Sequence, residues 1–386
     1  MSLETFLKGV KKDLSKANNF IIYDESRKLE FIKTGCLPFD LFVGGFPKRA
    51  LSEVFGAEHS GKSSLMYSTA AEIQKNKKSS IYLDFETAFN ASFAKSAFNL
   101  VVDNKTFTLL QPNNAEEGAD LLDRIEAAYS DSKEPLEAIF IDSIAAIQSR
   151  ASIASSLEDN QRVGEHARTV GRIVNKLRGI SAKFGCAIIM INQTRAALNL
   201  NPYGSKSSLG NMNHSDDTTT GGKAPRFYSA LRVRLSNTVQ KETTMDPTTG
   251  QLTKNIIVGN VTKFEIIKNK VGVPFLKFVS HFDLNINGQV PGWNEIKDIV
   301  HYLESFKLIE QASVRFSYHG SSDEFNFSMS GKKEDSIKAF LQRPDLIEDG
   351  KKQILSRFSS KKEVIIDSSL EALDDSEVIY DNEVAC

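Results

Sequence analysis

The stretch "ALSEVFGAEHSGKSSLMYSTAAEIQK", Ala50 to Lys75, decides how the whole chain is read. It opens as a strand, "ALSEVFG", and closes as a helix, "KSSLMYSTAAEIQK". Between them Gly56 to Ser63, "GAEHSGKS", fits G-x-x-x-x-G-K-[ST], a phosphate-binding loop whose mechanism requires a strand before it and a helix after it. Glycine at 56 and 61 lets the backbone wrap close to phosphate oxygens. The helix that follows presents free N–H groups and the positive end of its dipole. Lys62 neutralises the outer phosphates, and the Ser63 hydroxyl can ligate Mg²⁺. The expected ATP-binding segment therefore runs through Gly56, Ala57, Glu58, His59, Ser60, Gly61, Lys62, Ser63 and Ser64. The plainer explanation is a glycine-bearing turn with an exposed lysine, and the flanking strand and helix tell against it.

Outward from the loop, strands alternate with helices. "SSIYLDFE", "LEAIFIDS" and "CAIIMINQ" read as strands; "AEEGADLLDRIEAAY" and "EHARTVGRIVNKLRGISAKFG" read as helices. Such alternation predicts an α/β fold, a mainly parallel twisted sheet flanked by helices. After Ala224 strands take over: "SALRVRLSN", "NIIVGNVTKFEIIKNK" and "FLKFVSHFDLNI", with a turn at "DPTTGQ". They extend the sheet in a partly antiparallel way. Four units are expected. Residues 1–32 form an N-terminal segment whose short amphipathic helix (Leu3, Phe6, Leu7, Val10, Leu14) needs a surface to pack on, either its own body or, as an oligomerisation segment, a neighbouring subunit; 33–288 form the phosphate-binding core. Residues 289–363 form a small α/β domain and 364–386 an acidic tail.

The 386 residues are 40% hydrophobic and 25% charged, an ordinary globular composition that excludes fibrous and membrane-spanning classes. Cys36, Cys186 and Cys386 lack metal-ligand spacing, which suggests a reduced, cytoplasmic setting. The formal charge of −1 argues against nucleic acid if taken whole. From Val364 onward, however, there are seven acidic residues and no Lys or Arg; without that −7, residues 1–363 carry +6. The tail reads as solvated and disordered, a tethered polyanion able to compete with an anionic ligand for the basic body.

Carboxylates at strand ends are the next candidates, because ligands bind beyond the carboxyl ends of parallel strands. Asp142 in "IFIDS" is placed to hold a metal, with Ser143 beside it, although a strand-terminal Asp also caps helices. "IYLDFETAFN" carries Asp84 and Glu86 on one face, either of which could polarise an attacking water. Periodicity alone does not choose between them.

Several stretches taken together resemble the RecA family of DNA recombinases, most closely its bacterial and phage members. They are "TGCLPFDLFVGGFPK", "GAEHSGKSS", "LDFETAFN", "IFIDS", "MINQTR", "TTTGGKAPRFYSA" and "IIKNKVGVPF", in order across residues 33–288. The resemblance implies a RecA-type P-loop ATPase core and prefers Glu86 as the water-activating carboxylate. It makes Gln193 the sensor of the γ-phosphate and places Asn90 and Phe93 at adenine, where the family favours Asp and Tyr. Lys268 and Lys270, at i and i+2 and so on one face, would reach the γ-phosphate of the adjacent subunit. By residue type alone they would read as a solvated basic strand end. Phe227 aligns with a residue of the subunit junction, though a buried strand aromatic would look the same.

The same resemblance explains the long polar insertion "NLNPYGSKSSLGNMNHSDDTTTGG", Asn199 to Gly222, as part of a DNA-binding loop. A structureless connection of this length in a compact core is normally functional or disordered. Arg195 would hold a phosphate, Leu198 would wedge between bases, and Gly221 and Gly222 would offer main-chain N–H groups. The middle of this loop is longer than the bacterial pattern and is not a basic patch. A second loop is expected near Ala154–Val163, with Val163 at its tip. Arg168 and Arg172 on the helix after it, and Arg226, are candidate phosphate contacts; the alternative for the two helical arginines is an exposed helix face.

These readings imply an ATP- and Mg²⁺-dependent recombination and repair protein. It would form a homo-oligomeric helical filament on single-stranded DNA, sample duplex DNA and exchange strands with DNA-stimulated hydrolysis. Single-strand-binding and mediator proteins are the accessory partners suggested, with no membrane partner. Two alternatives use the same core: a hexameric helicase-type motor, and a non-enzymatic regulator of recombinase filaments.

Overall fold

The computed structural model describes residues 29–132, 134–154, 164–196, 217–245, 252–284, 290–312 and 315–360. The N-terminal helix, Val163, Leu198, most of the long insertion, the "DPTTGQ" turn and the acidic tail lie outside these residues.

A short ladder pairs Phe31–Ile32 (β1) with Phe46–Pro47 (β2), bracketing the helix Leu37–Phe42. The main sheet is built from Leu51–Gly56 (β3), Ser79–Asp84 (β4), Phe107–Leu110 (β5), Leu136–Asp142 (β6) and Ala187–Ala196 (β7). Asp217–Thr219 (β8) pairs antiparallel with the end of β7. Ser229–Met245 (β9), Leu252–Asn269 (β10), Lys277–Asp283 (β11) and Gly292–Trp293 (β12) complete it. The strand order is β12-β11-β10-β9-β3-β7-β6-β4-β5. Every pair from β9 to β5 is parallel, and the pairs from β9 to β12 are antiparallel. This is the mainly parallel sheet with an antiparallel extension that the alternation predicts.

Both faces are covered, which is why the parallel strands read as continuous apolar runs. Along β7, Ile189 and Ile191 join Val54, Leu65 and Met66 beneath the helix Lys62–Lys75. Ile188 and Met190 face the other way, onto Leu122 of the helix Ala115–Ser130 and Val174 and Leu177 of the helix Glu165–Phe184. Strand alternation produces this split.

Short helices escaped the sequence reading. Ala91–Phe98 and Lys223–Tyr228 are too brief to show a 3.6-residue period and are set by their ends and neighbours. The core also carries on past residue 288. β12 pairs with β11, and Trp293 Nε1 donates to Ser68 Oγ at 3.0 Å. Beyond it, Ile309–Ala312 (β13), Arg315–Tyr318 (β14) and Phe327–Ser330 (β15) form a small antiparallel sheet with the helices Glu295–Ser305, Lys333–Leu341 and Pro344–Ser360. Its apolar side chains join the main core: Phe42 stacks on Phe358 at 3.9 Å and meets Tyr302 edge-on at 5.0 Å.

Candidate functional site

The phosphate loop leaves the carboxyl end of β3 and enters the helix Lys62–Lys75. Gly56 is obligatory there, since a Cβ would lie 2.1 Å from the carbonyl oxygen of Leu235. Lys62 is only 8% exposed; its Nζ donates to the carbonyls of Gly56, at 3.1 Å, and of Ala57. Ser60 Oγ is 3.4 Å away. Burial lowers the Lys62 pKa, and the charges of Asp142, Glu86 and Glu58 oppose that shift. The amine is therefore held inside the loop by acceptors that phosphate oxygens can replace.

Beside the loop lies a cavity of about 310 Å³, lined also by Phe93, Asn260, Thr262 and Phe282. Phe93 is half-buried, 6.3 Å from Phe282, so an aromatic wall borders the phosphate region. Asn90 accepts the Phe93 N–H at 2.9 Å and so caps the helix Ala91–Phe98; its acceptor oxygen serves the helix. A larger cavity, about 820 Å³, lies elsewhere, between the helix Lys62–Lys75 and Val290–Ile296, and is not lined by the phosphate loop.

Asp142 ends β6 directly across from the loop. Its Oδ2 accepts from Tyr82 Oη at 2.6 Å, and Ser63 Oγ is 3.5 Å away. Burial raises the Asp142 pKa to about 6; the Tyr82 bond opposes this, and Glu86 and Asp84 add to it. A cation beside the carboxylate would reverse that balance. One hydroxyl and one carboxylate, both hard oxygen donors, fit Mg²⁺, and Ser63 and Asp142 would be the residues to hold it. Among the described residues no cluster of three or more His, Cys, Asp or Glu side chains could cage a metal.

The two carboxylates after β4 differ sharply. Asp84 is fully buried; it accepts the N–H groups of Glu86, Ala88 and Phe89 at 3.2, 3.3 and 3.0 Å and Gln111 Nε2 at 3.0 Å. It organises the turn. Glu86 is exposed, accepts from Ser143 Oγ, and lies 3.4 Å from Gln193 Nε2. Asp84→Ala is expected to cost about 3 kcal/mol of folding stability, since it orphans several buried donors. Glu86→Gln is expected to leave melting nearly unchanged while slowing hydrolysis about a hundredfold. Thermal denaturation of both variants alongside their turnover checks this; equal losses of stability would refute the division of labour.

Lys268 and Lys270 sit further back along the sheet, away from the carboxyl end of β3. Lys268 pairs with Arg232, which pairs with Glu53 of β3, and the Lys270 N–H donates to Ala230 at 2.8 Å. Thr262, on the same strand as Lys268, lines the cavity beside the phosphate loop. At about 3.4 Å per residue, the stretch from Thr262 to Lys268 spans about 20 Å. The pair therefore lies far from the chain's own phosphate loop. Lys268 Nζ donates to the carbonyls of Arg226 and Phe227 at 2.8 and 3.1 Å, and burial followed by Lys270 and Arg232 lowers its pKa.

Compared with known proteins, residues 1–287 match the model of the RecA N-terminal domain. The chain belongs to the RecA family. It is 30% identical over 351 residues to "Protein RecA" of Campylobacter lari, covering 90% of each chain. It is 31% identical over 323 residues to that of Sulfurimonas denitrificans, covering 82% of this chain and 83% of the relative. To the protein of Lactobacillus delbrueckii subsp. bulgaricus it is 28% identical over 382 residues, 98% and 91%. Membership makes it a protein of homologous recombination and DNA repair, which binds ATP and DNA, forms filaments on single-stranded DNA and exchanges strands. No helix among the described residues is long and apolar enough to cross a membrane.

Within this RecA-family core the candidate DNA residues lie on several elements. Arg195, opposite Thr218, belongs to the β7–β8 ladder that closes the base of the long insertion. Gly221 follows with φ 88°, buried so tightly that a Cβ would lie 2.8 Å from Ile144 and 2.9 Å from Val170. Packing alone thus demands glycine there; Gly222 is exposed, but it has φ 74° and a Cβ on it would lie 2.8 Å from the Cβ of Ala167. Arg168 and Arg172 are exposed and line one cavity of about 370 Å³ with Glu116 and Glu165. Both acidic groups are engaged, Glu165 by Ser149 Oγ and Glu116 by the Arg150 N–H, each at 2.9 Å. Phe227 is 75% exposed on the helix Lys223–Tyr228, not buried on a strand. Sequence reasoning missed Tyr82, Asn260, Thr262 and Phe282. Each meets the site only through chain crossovers that no local pattern records.

Proposed function

We propose that this RecA-family protein hydrolyses ATP, with Mg²⁺, at junctions between adjacent copies, and that single-stranded DNA stimulates the reaction. The supporting observation is the split of the site. The phosphate loop, Glu86 and Gln193 stand at the carboxyl end of β3, whereas Lys268 and Lys270 lie level with its amino-terminal half. One copy's lysines can then complete only a neighbour's site. The exposed Phe227, Val273 and Phe275 near the lysine pair suit an apolar junction.

Each residue then has a task. Lys62 and the loop N–H groups bind and orient the phosphates. Ser63 and Asp142 hold Mg²⁺, which when bound neutralises phosphate charge. Glu86 orients the attacking water, and Gln193 contacts Glu86 and the terminal phosphate. Phe93 stacks on adenine. Lys268 and Lys270 stabilise charge on the transferring phosphoryl group across the junction. Arg168, Arg172, Arg195, Arg226 and the N–H groups of Gly221 and Gly222 hold DNA phosphates. The protein acts in the cytoplasm with single-strand-binding and mediator proteins.

Hydrolysis measured with and without single-stranded DNA tests the whole reading; turnover that ignores DNA would refute it. The acidic run supports a further expectation. Deleting residues 364–386 should speed loading on duplex DNA severalfold at low salt, with the gain shrinking as salt rises. Filament-assembly kinetics at several salt concentrations decide this, and unchanged loading throughout would count against competition by the tail.

A further inference from the structure

Glu53 is a fully buried carboxylate in the middle of β3 that takes no part in the chemistry above. Its Oε2 accepts from Arg232 Nε at 2.5 Å, and its Oε1 accepts from Asn192 Nδ2 at 2.9 Å. Arg232, only 6% exposed, lies over the ring of Phe55 at 4.7 Å. Asn192 is fully buried as well, and every polar atom of its side chain is engaged. Nδ2 also donates to the Thr220 carbonyl at 2.9 Å, and Oδ1 accepts the N–H of Gln193 at 2.9 Å. A carboxylate on the phosphate-loop strand thus reaches, through one amide, both the backbone of Gln193 and the end of the long insertion.

A buried ion pair is a poor source of stability, because desolvation offsets most of the attraction. What this one does supply is a fixed orientation. With Arg232 locking one oxygen and Phe55 beneath it, Glu53 presents the other oxygen to Asn192 in a single geometry. The anchored end of the insertion carries unused polar capacity. The hydroxyls of Thr219 and Thr220 are buried with no hydrogen-bond partner among the described residues. A displacement of Thr220 on DNA binding would pull directly on the Asn192 amide, whose oxygen holds the peptide of Gln193.

We propose that Glu53, locked by Arg232, is a positioning residue that uses Asn192 to couple the Thr220 end of the DNA loop to Gln193, and so transmits DNA binding to ATP hydrolysis. This rests on reading Gln193 as the group that meets the terminal phosphate. Glu53 and Asn192 touch neither nucleotide nor DNA; they act through Gln193 and Thr220.

Two double variants and two single ones test it in the full-length protein. Glu53→Leu with Arg232→Leu removes the anchor while keeping the interior apolar, a replacement that buried ion pairs commonly tolerate. Because both charges leave together, the local charge near Lys268 is unchanged. DNA-stimulated hydrolysis should fall about tenfold, with DNA-independent hydrolysis within about twofold of the parent. Glu53→Gln with Arg232→Gln keeps an amide oxygen for Asn192 and an amide pair in place of the ion pair, and should restore stimulation. A purely structural pair would not separate these two variants. Asn192→Ala should reproduce the loss with the ion pair intact and serves if the leucine variant does not fold. The proposal is overturned if stimulation in a folded Asn192→Ala protein equals the parent's, or if stimulated and unstimulated rates fall by one factor. Gln193→Ala separates the two levels. Loss of stimulation there, with none in Asn192→Ala, removes the relay and leaves Gln193 in its role, whereas no loss in either removes both.

Discussion

Replacing Lys62 with alanine is expected to lower DNA-stimulated ATP hydrolysis by a factor of about a thousand, with the fold retained. The size of the effect follows from where the amine sits. It is the one lysine held within the phosphate loop, desolvated, and gripped by the loop's own carbonyls at Gly56 and Ala57. A buried cation at this place stabilises charge on the transferring group far more than a solvated one, because little water screens it. Removing it takes away this stabilisation and leaves the loop carbonyls facing the phosphates. Lys62 makes no ion pair among the described residues, and its partners are carbonyls of the loop rather than of the core sheet's interior packing, so melting should change little. Steady-state hydrolysis at saturating single-stranded DNA, with melting as a control, gives the answer. Normal turnover in a folded variant would sink the phosphate assignment.

The second large effect concerns the detached lysines. Lys268→Ala should reduce hydrolysis about a thousandfold by itself, the scale of a charge supplied in trans to a phosphoryl group. The informative experiment mixes it with Glu86→Ala. Each variant lacks a different half of the junction, and a head-to-tail contact places the phosphate loop of one copy against the lysines of the next. In an equal, random mixture roughly a quarter of junctions would pair an intact Glu86 with an intact Lys268, so activity should return to roughly a quarter of the parent's. The separation of about 20 Å along β10 makes the same result hard to obtain within one copy. Absence of rescue, with mixed filaments confirmed by differential tagging, would place the lysines outside the reaction. A subtler change is also expected. Lys268 holds the carbonyls of Arg226 and Phe227 at the end of the helix Lys223–Tyr228, so moving to a phosphate releases that helix end.

How much of this was legible in advance depended on the range of the interaction. The strand–loop–helix from Ala50 to Lys75 could be read outright, because its residues act on their immediate neighbours. The helix predicted over 115–129 ends one residue later, and the strand at 136–143 one residue earlier. The choice between Asp84 and Glu86 was not legible from the residues, since both project from one strand end. Folding decides it by turning the backbone of Glu86, Ala88 and Phe89 back onto Asp84. The end of the core was hidden for a similar reason. β12 is a two-residue strand whose Trp293 reaches Ser68, too short for any periodicity.

By itself the sequence determined the phosphate-loop motif, the alternation that builds a mainly parallel sheet and the family, because glycine, lysine and carboxylate spacing and apolar periods are local properties. Only the tertiary structure decided which carboxylate stays exposed beside Ser143 and Gln193, that Lys268 and Lys270 stand away from their own phosphate loop, and that Glu53 reaches Thr220 through Asn192. Those facts depend on strand order and register. β9 lies beside β3, β10 runs back against β9, and β7 carries Asn192 alongside β3. Register is set by the burial of whole strand faces, a property of the assembled sheet that no single stretch of chain contains.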